Sequence, residues 1–568
     1  MKFSTVQFVQ EIKHSNAKPN KQIFMKKSFY LILILTTVFF SCNSNKEDTR
    51  PNILFIMSDD HAYQAISSYG YNLNNTPNID RIAKEGAIFK NSFVTNSICA
   101  PSRAVMLTGK HSFLNGKVDN IQDFNWDQNS FAKELKKSGY QTALIGKIHL
   151  RGLPQGFDYS AVLPGQGHYY NPDFIIDGVM ERIQGYVTTI TTNLSLDWLK
   201  NKREKNKPFL LLYHQKAPHR NWQSEEKYLT LFDDKTFDFP SNFFDDYKGR
   251  KAAAAQEMMI SASEDQLAKT HGPGGHGRWG HDFKLLTDPY GRDTRFNQEL
   301  ERFTPKQKKA WLDAYTPKND AMRNANLKGK DLALWKFNRY LKDYLRTIQS
   351  VDDGVGEVLN YLDEAGLSDN TIVVYTSDQG FYLGEHGWFD KRFMYEESLK
   401  TPFLIRYPKE IPAGSQVNEL IQNLDYAPTF LDYANVKIPE DMQGESFRKI
   451  VSNETEEWRD AIYYTYYEYP SVHMVKRHYG IRTDRYKLIH FYYDIDEWEL
   501  FDLKNDPNEM NNIYDDPKYS EIKEQMHKKL SELRVKYGDS KEMDQKNLDR
   551  YLGAIKDGKV WGIKKWDK

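Results

Sequence analysis

The sequence predicts an α/β protein with a mostly parallel sheet flanked by helices, followed by a smaller α+β domain with an antiparallel sheet. Four short, almost continuous apolar runs support the first part, at residues 52–57, 141–145, 208–213 and 371–375. Strands that are covered on both faces have this pattern, without polar alternation. Helix-like segments lie between them, at residues 78–85, 130–138 and 340–365. Such alternation of strand and helix is typical of a parallel sheet.

The sequence changes in character after about residue 440. Aromatic and β-branched runs at residues 461–469, 476–482, 486–492 and 499–503 predict strands, with a turn at 483–485, and residues 516–537 predict a helix. We therefore divide the chain into a large α/β domain, 51–440, and a smaller C-terminal domain, 441–568. Within the first, residues 240–335 are predicted to form a polar, irregular insertion at its rim. The histidines of its HGPGGHGRWGHDF segment match no strong zinc-binding spacing.

The first 42 residues are interpreted as an N-terminal extension with a lipoprotein-type signal. A positive start at Met25 precedes an apolar run, 28–41, that is too short to span a bilayer core of about 30 Å. Cys42 follows at once and is the expected site of lipid attachment, with residues 43–50 as a tether. We expect export and anchoring to the bacterial outer membrane, on the periplasmic side or the cell surface. A soluble periplasmic or secreted protein is the alternative.

Charge and cysteine content narrow the function. The chain has 78 basic and 78 acidic residues, so nothing in its global charge predicts nucleic-acid binding, and we expect membrane contact only through the lipid anchor. Cys42 and Cys99 are the only cysteines. If Cys42 carries lipid, no disulfide can form, and an exported protein usually uses cysteines in pairs. Cys99 therefore requires a chemical explanation.

Ionisable or amide side chains follow each of the four predicted parallel strands. Asp59 and Asp60 follow the first, Lys147 the second, His214 the third and Asp378 the fourth. In open parallel sheets, ligands bind outside the carboxyl ends of the strands. The strand ends therefore indicate an active site.

The segment from Cys99 to Gly109, CAPSRAVMLTG, combines several fixed identities at fixed spacing. It resembles the C-x-P-S-R…T-G signature of formylglycine-dependent, or type I, sulfatases. The resemblance implies an alkaline-phosphatase-like fold with a smaller C-terminal domain. It also implies that Cys99 is converted to 3-oxoalanine (formylglycine) by a formylglycine-generating or an anaerobic sulfatase-maturating enzyme. One hydroxyl of the hydrated aldehyde would attack sulfur, and the other would expel sulfate and regenerate the aldehyde.

The same resemblance implies a divalent cation. Its ligands would be five strand-end and helix-start residues: Asp59, Asp60, Cys99 as formylglycine, Asp378 and Gln379. A set of oxygen ligands suits calcium, with magnesium as the alternative, better than zinc. Many family members have asparagine where this chain has Gln379, which offers the same oxygen on a longer arm.

Six residues match the catalytic positions of the family: Cys99, Arg103, Lys147, His149, His219 and Lys391. Arg103 lies four residues after Cys99 and would share a helical face with it. Lys147 would bind sulfate, and His149 would hydrogen-bond the second hydroxyl. His219 and Lys391 would lie on the leaving-group side, where we favour His219 as the acid because histidine can carry a proton near neutral pH.

The substrate is more weakly encoded. Residues 165–171 and 466–482 resemble segments of bacterial carbohydrate sulfatases, including N-acetylglucosamine-6-sulfatase-like members. The candidate substrate contacts are His168, Tyr169, Trp222, His386, Trp388, His473 and Arg477. We expect a sulfatase that acts on a sulfated polysaccharide or its oligosaccharides, such as ulvan, carrageenan, a glycosaminoglycan or mucin. The alternatives are a phosphonate or phosphate monoester hydrolase of the same superfamily and a non-catalytic glycan-binding lipoprotein.

Overall fold

A computed structural model of the protein describes residues 48–260, 283–284, 294–455, 457–471 and 473–560. The predicted signal, most of the tether and the histidines of the glycine-rich loop lie outside the described residues. A bound-lipid site at Cys42 therefore stays a prediction.

The strands of the described residues are β1 (Asn52–Ser58), β2 (Ala87–Phe89), β3 (Ser92–Phe93), β4 (Gln141–Gly146), β5 (Tyr159–Val162), β6 (Asp173–Ile176), β7 (Val179–Arg182), β8 (Phe209–His214), β9 (Thr371–Ser377), β10 (Tyr382–Leu383), β11 (Phe389–Asp390), β12 (Phe403–Arg406), β13 (Ser415–Val417), β14 (Ile421–Gln422), β15 (Ala461–Tyr466), β16 (His478–Thr483), β17 (Tyr486–Phe491) and β18 (Glu497–Asp502).

The α-helices of the same residues are α1 (Pro77–Lys84), α2 (Cys99–Thr108), α3 (Ser112–Asn115), α4 (Phe131–Lys137), α5 (Val187–Asp197), α6 (Lys251–Ala254), α7 (Thr294–Leu300), α8 (Pro305–Ala325), α9 (Gly329–Glu364), α10 (Glu396–Leu399), α11 (Tyr426–Tyr433), α12 (Arg448–Val451), α13 (Ser520–Tyr537) and α14 (Lys541–Lys556).

A large mixed sheet organises the first part of the chain. Its strand order is β13-β2-β12-β9-β1-β8-β4-β5-β6-β7. The four strands predicted from apolar runs, β1, β4, β8 and β9, are neighbours at its centre and run parallel to one another. The predicted fold class is therefore confirmed, and the polar strand ends meet at one edge of the sheet.

Strand β1 shows why the centre of the sheet is stable. Every residue of β1 is buried. Because side chains alternate across a strand, Phe55 packs on one face against Phe430 of α11, whereas Leu54 faces the other side, with Val351 of α9. Each fully buried side chain of this size contributes about 1.5–3 kcal/mol. A strand between two layers of helices needs apolar side chains on both faces, which explains the uninterrupted apolar run.

The C-terminal sheet is antiparallel, as predicted, with the order β15-β16-β17-β18. One face shares a core with α9, where Tyr464 lies in the same cluster as Tyr344. The other face is covered by α13, whose Leu530 clusters with Leu488 of β17. The residues from Arg50 onward accordingly form one compact unit.

Two parts of the chain differ from the sequence prediction. The insertion at 240–335 is not irregular throughout, because it contains α7, α8 and the start of α9. Thr304 begins α8 with a reciprocal capping box to Gln307. A further helix, α14, follows Ser540, whose side chain accepts a hydrogen bond from the Met543 amide. Among the described residues, no helix is both long and apolar enough to cross a bilayer.

We predict that Gly146→Ala is severely destabilising. Gly146 ends β4 with φ of 104°, and an added Cβ would lie 1.8 Å from the carbonyl oxygen of His214 in β8. The neighbouring backbone must move, so the free energy of unfolding should fall by about 2–4 kcal/mol in urea denaturation. Gly70→Ala is the control, because Gly70 has φ of 90° but nothing within 4 Å of the added carbon. Equal losses of unfolding free energy in the two variants would show that the positive φ alone, and not the close contact with His214, causes the destabilisation.

Candidate active site

The register of β1 and β9 brings the acidic strand ends together. Ser58 pairs with Ser377, so that the residues that follow each strand emerge side by side. The Asp60 amide donates a hydrogen bond to Asp378 Oδ1 at 3.0 Å. All four predicted strand-end ligands, Asp59, Asp60, Asp378 and Gln379, are buried.

Helix α2 supplies one of the countercharges. Cys99 is its first residue, and Arg103 lies one turn later on the same face. The Arg103 guanidinium is fully buried, with Nε 2.9 Å from Asp378 Oδ2 and Nη2 3.7 Å from Asp59 Oδ1. It also donates to the backbone carbonyl of Lys147. Arg103 therefore ties three strand ends together, a positioning contribution that its sequence motif did not reveal.

The strand-end residues fit a divalent cation. Carboxylate oxygens of Asp59, Asp60 and Asp378 all lie within 4.8 Å of one another. Asp59 Oδ1, Asp60 Oδ2 and Gln379 Oε1 are buried and have no hydrogen-bond partner. Buried oxygens without partners are costly unless a cation or a donor satisfies them. The donor set consists of hard oxygens, which calcium and magnesium prefer.

Cys99 lies beside this acidic group. Its Sγ is 3.4 Å from Lys391 Nζ and 3.7 Å from Gln379 Nε2. Burial raises the pKa of the Cys99 thiol to about 12. A thiol with that pKa is protonated at neutral pH and is a weak nucleophile. Cys99 thus lies close to the acidic cluster, but its unmodified thiol is poorly suited to nucleophilic attack.

Lys147 and His149 follow β4, as predicted. The Lys147 ammonium group is fully buried and contacts both the Asp59 carboxylate and the amide oxygen of Gln166. His149 is partly exposed and lines the same cavity as Cys99. The structure thus brings both residues to the carboxyl edge of the sheet.

The ring of His219 has a defined orientation. Its Nδ1 lies 2.7 Å from the Arg220 carbonyl oxygen, which can only accept, so Nδ1 carries the hydrogen. Its Nε2 points towards Asp60 Oδ2, 3.7 Å away. Burial lowers the pKa of His219 well below its usual range, and the ammonium groups of Lys147 and Lys391 lower it further. His219 therefore presents a neutral ring nitrogen to the site.

Tyr344 of α9 is a positioning residue that the sequence did not reveal. Asp60 has a positive φ of 65°, which is unusual for a residue other than glycine. The Tyr344 hydroxyl donates to the Asp60 carbonyl at 2.7 Å and accepts from the Ala62 amide at 2.8 Å. These two bonds hold the turn that aims the Asp60 carboxylate.

A cavity of about 550 Å³ opens above the acidic cluster. Five predicted site residues line it: Cys99, His149, His219, Lys391 and His473. Sequence reasoning missed several other lining residues, including Asn120, Gln166, Arg220, Asp390, Arg392 and Glu468. Asp390 and Arg392 flank Lys391 in the chain, which is the one signal that could have drawn attention to them.

A second wall of the cavity, beside Lys391, is a network of paired charges. His473 Nε2 lies 3.1 Å from Asp390 Oδ2. Arg392 lies 3.4 Å from Asp390 and 3.2 Å from Glu468. All four side chains are buried in the protein, and all four line the cavity. Such a wall offers both donors and acceptors to a polar ligand.

Only some of the predicted substrate contacts lie at the cavity. His473 lines the cavity, and Tyr169 lies behind it, donating its hydroxyl hydrogen to the His219 carbonyl. His168 faces Glu299, 3.0 Å away. The structure does not bring the others to the cavity, because they are packed inside the protein: Trp222, His386, Trp388 and Arg477.

His386 and Trp388 show why these side chains do not reach the cavity. Each is fully buried, and their rings lie 5.1 Å apart. His386 Nδ1 lies 2.7 Å from Asp245 Oδ2, while Trp388 Nε1 donates to the Tyr247 hydroxyl at 2.7 Å. Aromatic residues near a catalytic motif are thus used here for packing.

Two family profiles match the chain. The sulfatase profile matches residues 51–436, and the profile for the C-terminal part of N-sulphoglucosamine sulphohydrolase matches residues 384–536. The first alone covers more than half of the chain. A match of that length favours an enzyme over the alternative of a non-catalytic glycan-binding lipoprotein.

Known relatives agree with the profiles. The chain is 49% identical to N-acetylglucosamine-6-O-sulfatase of Bacteroides thetaiotaomicron, over 90% of this chain and 91% of the relative. A solved structure described as a complex with its substrate D-glucosamine-2-N,6-O-disulfate matches with a TM-score of 0.82 and 49% identity, covering 88% and 100% of the two chains.

More distant structures share the fold. A phosphonate monoester hydrolase of Agrobacterium radiobacter matches with a TM-score of 0.63 at 20% identity, over 86% of this chain and 96% of that one. At that identity the likeness concerns the fold alone. The profiles and the 49% identical relative therefore decide between the two ester classes: the chain belongs to the sulfatase family and is a sulfuric ester hydrolase.

Proposed function

We propose that the protein removes the 6-O-sulfate from N-acetylglucosamine or N-sulfoglucosamine residues of sulfated glycans. The observation that carries this proposal is the 49% identity, over nine-tenths of the chain, to a relative with the former activity. A neighbouring structure of equal identity was solved with a disulfated glucosamine. Relatives named as ulvan-active are 25–26% identical, which favours glucosamine-type glycans over ulvan.

We infer that Cys99 is converted to formylglycine and that a calcium or magnesium ion is held by Asp59, Asp60, Asp378 and Gln379. An aldehyde hydrate at position 99 supplies a nucleophile that is regenerated in each cycle. A hard cation beside it lowers the cost of gathering the carboxylates and favours the ionised nucleophile. The buried, unpartnered oxygens of the strand ends support this assignment.

The chain's own cations would bind and orient the sulfate group. Lys147 and Lys391 both lie at the acidic cluster, with Lys391 Nζ 3.4 Å from the Cys99 side chain. Both side chains are oriented before substrate arrives, so they need not reorganise as negative charge shifts during the reaction. Arg103 uses Nε and Nη1 to hold Asp378 and the Lys147 backbone, whereas its Nη2 is buried without a hydrogen-bond partner and would be a further donor at the site.

His219 is placed to protonate the departing alcohol. Its Nε2 faces the site, and its Nδ1–H bond to the Arg220 carbonyl fixes the ring. The negative charge of a bound sulfate group raises the proton affinity of a nearby imidazole. His219 can therefore take up a proton with the substrate and transfer it to the leaving oxygen.

The second wall suits a sugar. Asp390, Arg392, Glu468 and His473 present acceptors and donors within one buried network, which matches the hydroxyl groups of a sugar ring. A volume of about 550 Å³ lies within the usual range for small-ligand pockets, roughly 300–1,000 Å³. We further propose that Cys42 is acylated and holds the enzyme at the bacterial outer membrane.

We predict that the peptide containing residue 99 is lighter than its sequence mass. Protein from its native host should show a loss of about 18 Da, the difference between cysteine and formylglycine. Cys99→Ala should abolish turnover while the melting temperature stays unchanged, because the side chain is small. Near-normal turnover of that variant would overturn the proposed nucleophile.

Removal of the cation should lower both activity and stability. A ligand that binds only the folded state, at about a hundredfold its Kd, stabilises that state by about 2.7 kcal/mol. Calcium added after chelation should therefore raise the melting temperature and restore activity, whereas Asp60→Ala should lose both responses. Glu440→Ala, whose side chain is 91% exposed, is the control and should respond like wild type. An unchanged calcium response in Asp60→Ala would contradict the assigned ligands.

His219→Ala should be most harmful where the leaving group is poor. General acid catalysis contributes about 10²–10⁴-fold, and an alkoxide needs that proton more than a nitrophenolate does. We expect kcat on a sugar 6-sulfate to fall at least about a hundredfold, and kcat on 4-nitrophenyl sulfate less than about tenfold. Steady-state kinetics on the two substrates measures this. Losses of the same size on both would argue against the acid role.

A further inference from the structure

The last helix of the described chain contributes to the active-site cavity. The two family profiles end at residues 436 and 536, so that α14 (Lys541–Lys556) lies beyond both. Lys559 and Val560, just after α14, nevertheless line the cavity that contains Cys99. We name residues 541–560 the C-terminal arm. Part of the cavity wall is thus formed by a segment that neither profile matches.

One contact joins the C-terminal arm to a loop of the catalytic part. Arg550 Nη2 lies 2.8 Å from Asp119 Oδ2, and the Asp119 side chain is inaccessible to solvent. Asp119 Oδ1 accepts hydrogen bonds from the backbone amides of Ile121, at 2.9 Å, and Gln122, at 3.0 Å. Asn120 and Ile121 line the cavity. Arg550 therefore holds the carboxylate that shapes this loop.

A second contact joins the arm to a loop of the C-terminal sheet. Tyr551 is fully buried, and its hydroxyl donates to the Pro470 carbonyl at 3.2 Å. The same loop contains Glu468 and Ser471, which line the cavity. The two loops also meet directly, because the Asn120 amide donates to Glu468 Oε2 at 2.9 Å. Adjacent residues of α14 thus bridge the two loops that form one wall.

We propose that the C-terminal arm is a specificity element of the sulfatase site, which completes the wall that holds the sugar. This inference rests on the proposed function and names the part of the chain that selects sulfated sugars over small aryl sulfates. The exposed ammonium group of Lys559, 2.9 Å from Asp557, adds a polar group at the mouth of the cavity. A sugar reaches this wall, whereas a small aryl sulfate needs only the sulfate-binding end.

Arg550 is a positioning residue in this arrangement, because it acts through Asp119 rather than on the substrate. Arg550→Ala leaves the Asp119 carboxylate buried without its cation, and the Asn120–Ile121 backbone loses its support. The strand ends, Cys99 and His219 keep their own contacts. Loss of Arg550 should therefore weaken sugar binding and leave the chemical step unchanged.

The test compares wild type, Arg550→Ala and Arg550→Lys on 4-nitrophenyl sulfate and on a panel of sugar sulfates that includes N-acetylglucosamine 6-sulfate. We expect Arg550→Ala to raise KM at least about tenfold for the best sugar sulfate, with kcat and the aryl sulfate parameters changed less than about twofold. Arg550→Lys keeps the positive charge, so its KM should lie between those of Arg550→Ala and wild type. Lys546→Ala is the matched control, since Lys546 is an exposed cation one turn earlier on α14.

The outcomes separate this inference from the proposed function. The preference of the wild-type enzyme among the sugar sulfates tests the proposed function. The ratio of the variant's KM to the wild-type KM on the preferred sugar tests the role of the C-terminal arm. Equal losses on sugar and aryl sulfates would overturn the specificity role, because the whole site would then depend on Arg550. No loss on any sugar, with an unchanged melting temperature, would overturn it as well.

Discussion

The contact between Arg103 and the acidic strand ends is the interaction on which the active site depends. Asp59, Asp60 and Asp378 are buried within one cluster, and buried carboxylates are strongly unfavourable without countercharges. The guanidinium lies 2.9 Å from Asp378 and 3.7 Å from Asp59. Removing one partner of such a buried pair costs about 3–5 kcal/mol. Because Arg103 and Cys99 share a helix, the same contact also positions Cys99.

The cavity joins two walls with different tasks. The carboxyl edge of the parallel sheet gathers Asp59, Asp60, Lys147 and Asp378, whose charges suit a sulfate group and its cation. The second wall pairs Arg392, from the first part of the chain, with Glu468, from the C-terminal part. Contacts between the two parts therefore build this wall. Loops can alter the second wall without changing the strand register that fixes the first.

Several site residues are held in orientations that the isolated chain would rarely adopt. Asp60 has a positive φ, and two hydrogen bonds to the Tyr344 hydroxyl maintain its turn. The ring of His219 is fixed through its Nδ1. Backbone strain of this kind persists only where several surrounding contacts hold the same conformation. The benefit is that the charges are already oriented when the substrate binds.

Local patterns in the sequence are enough to predict the central strands, the family and the first wall of the site. Apolar runs, polar strand ends and the Cys99 motif are local patterns, and the carboxyl ends of parallel strands must meet. The second wall depends on contacts between segments that are far apart in the chain. His386 and Trp388 are residue types that often contact sugars, but they are packed inside, while Asn120 and Lys559 line the cavity outside every motif and family-like segment. Helix α14 has few apolar residues in its sequence, and its place depends on contacts such as Arg550 with Asp119, which span hundreds of residues.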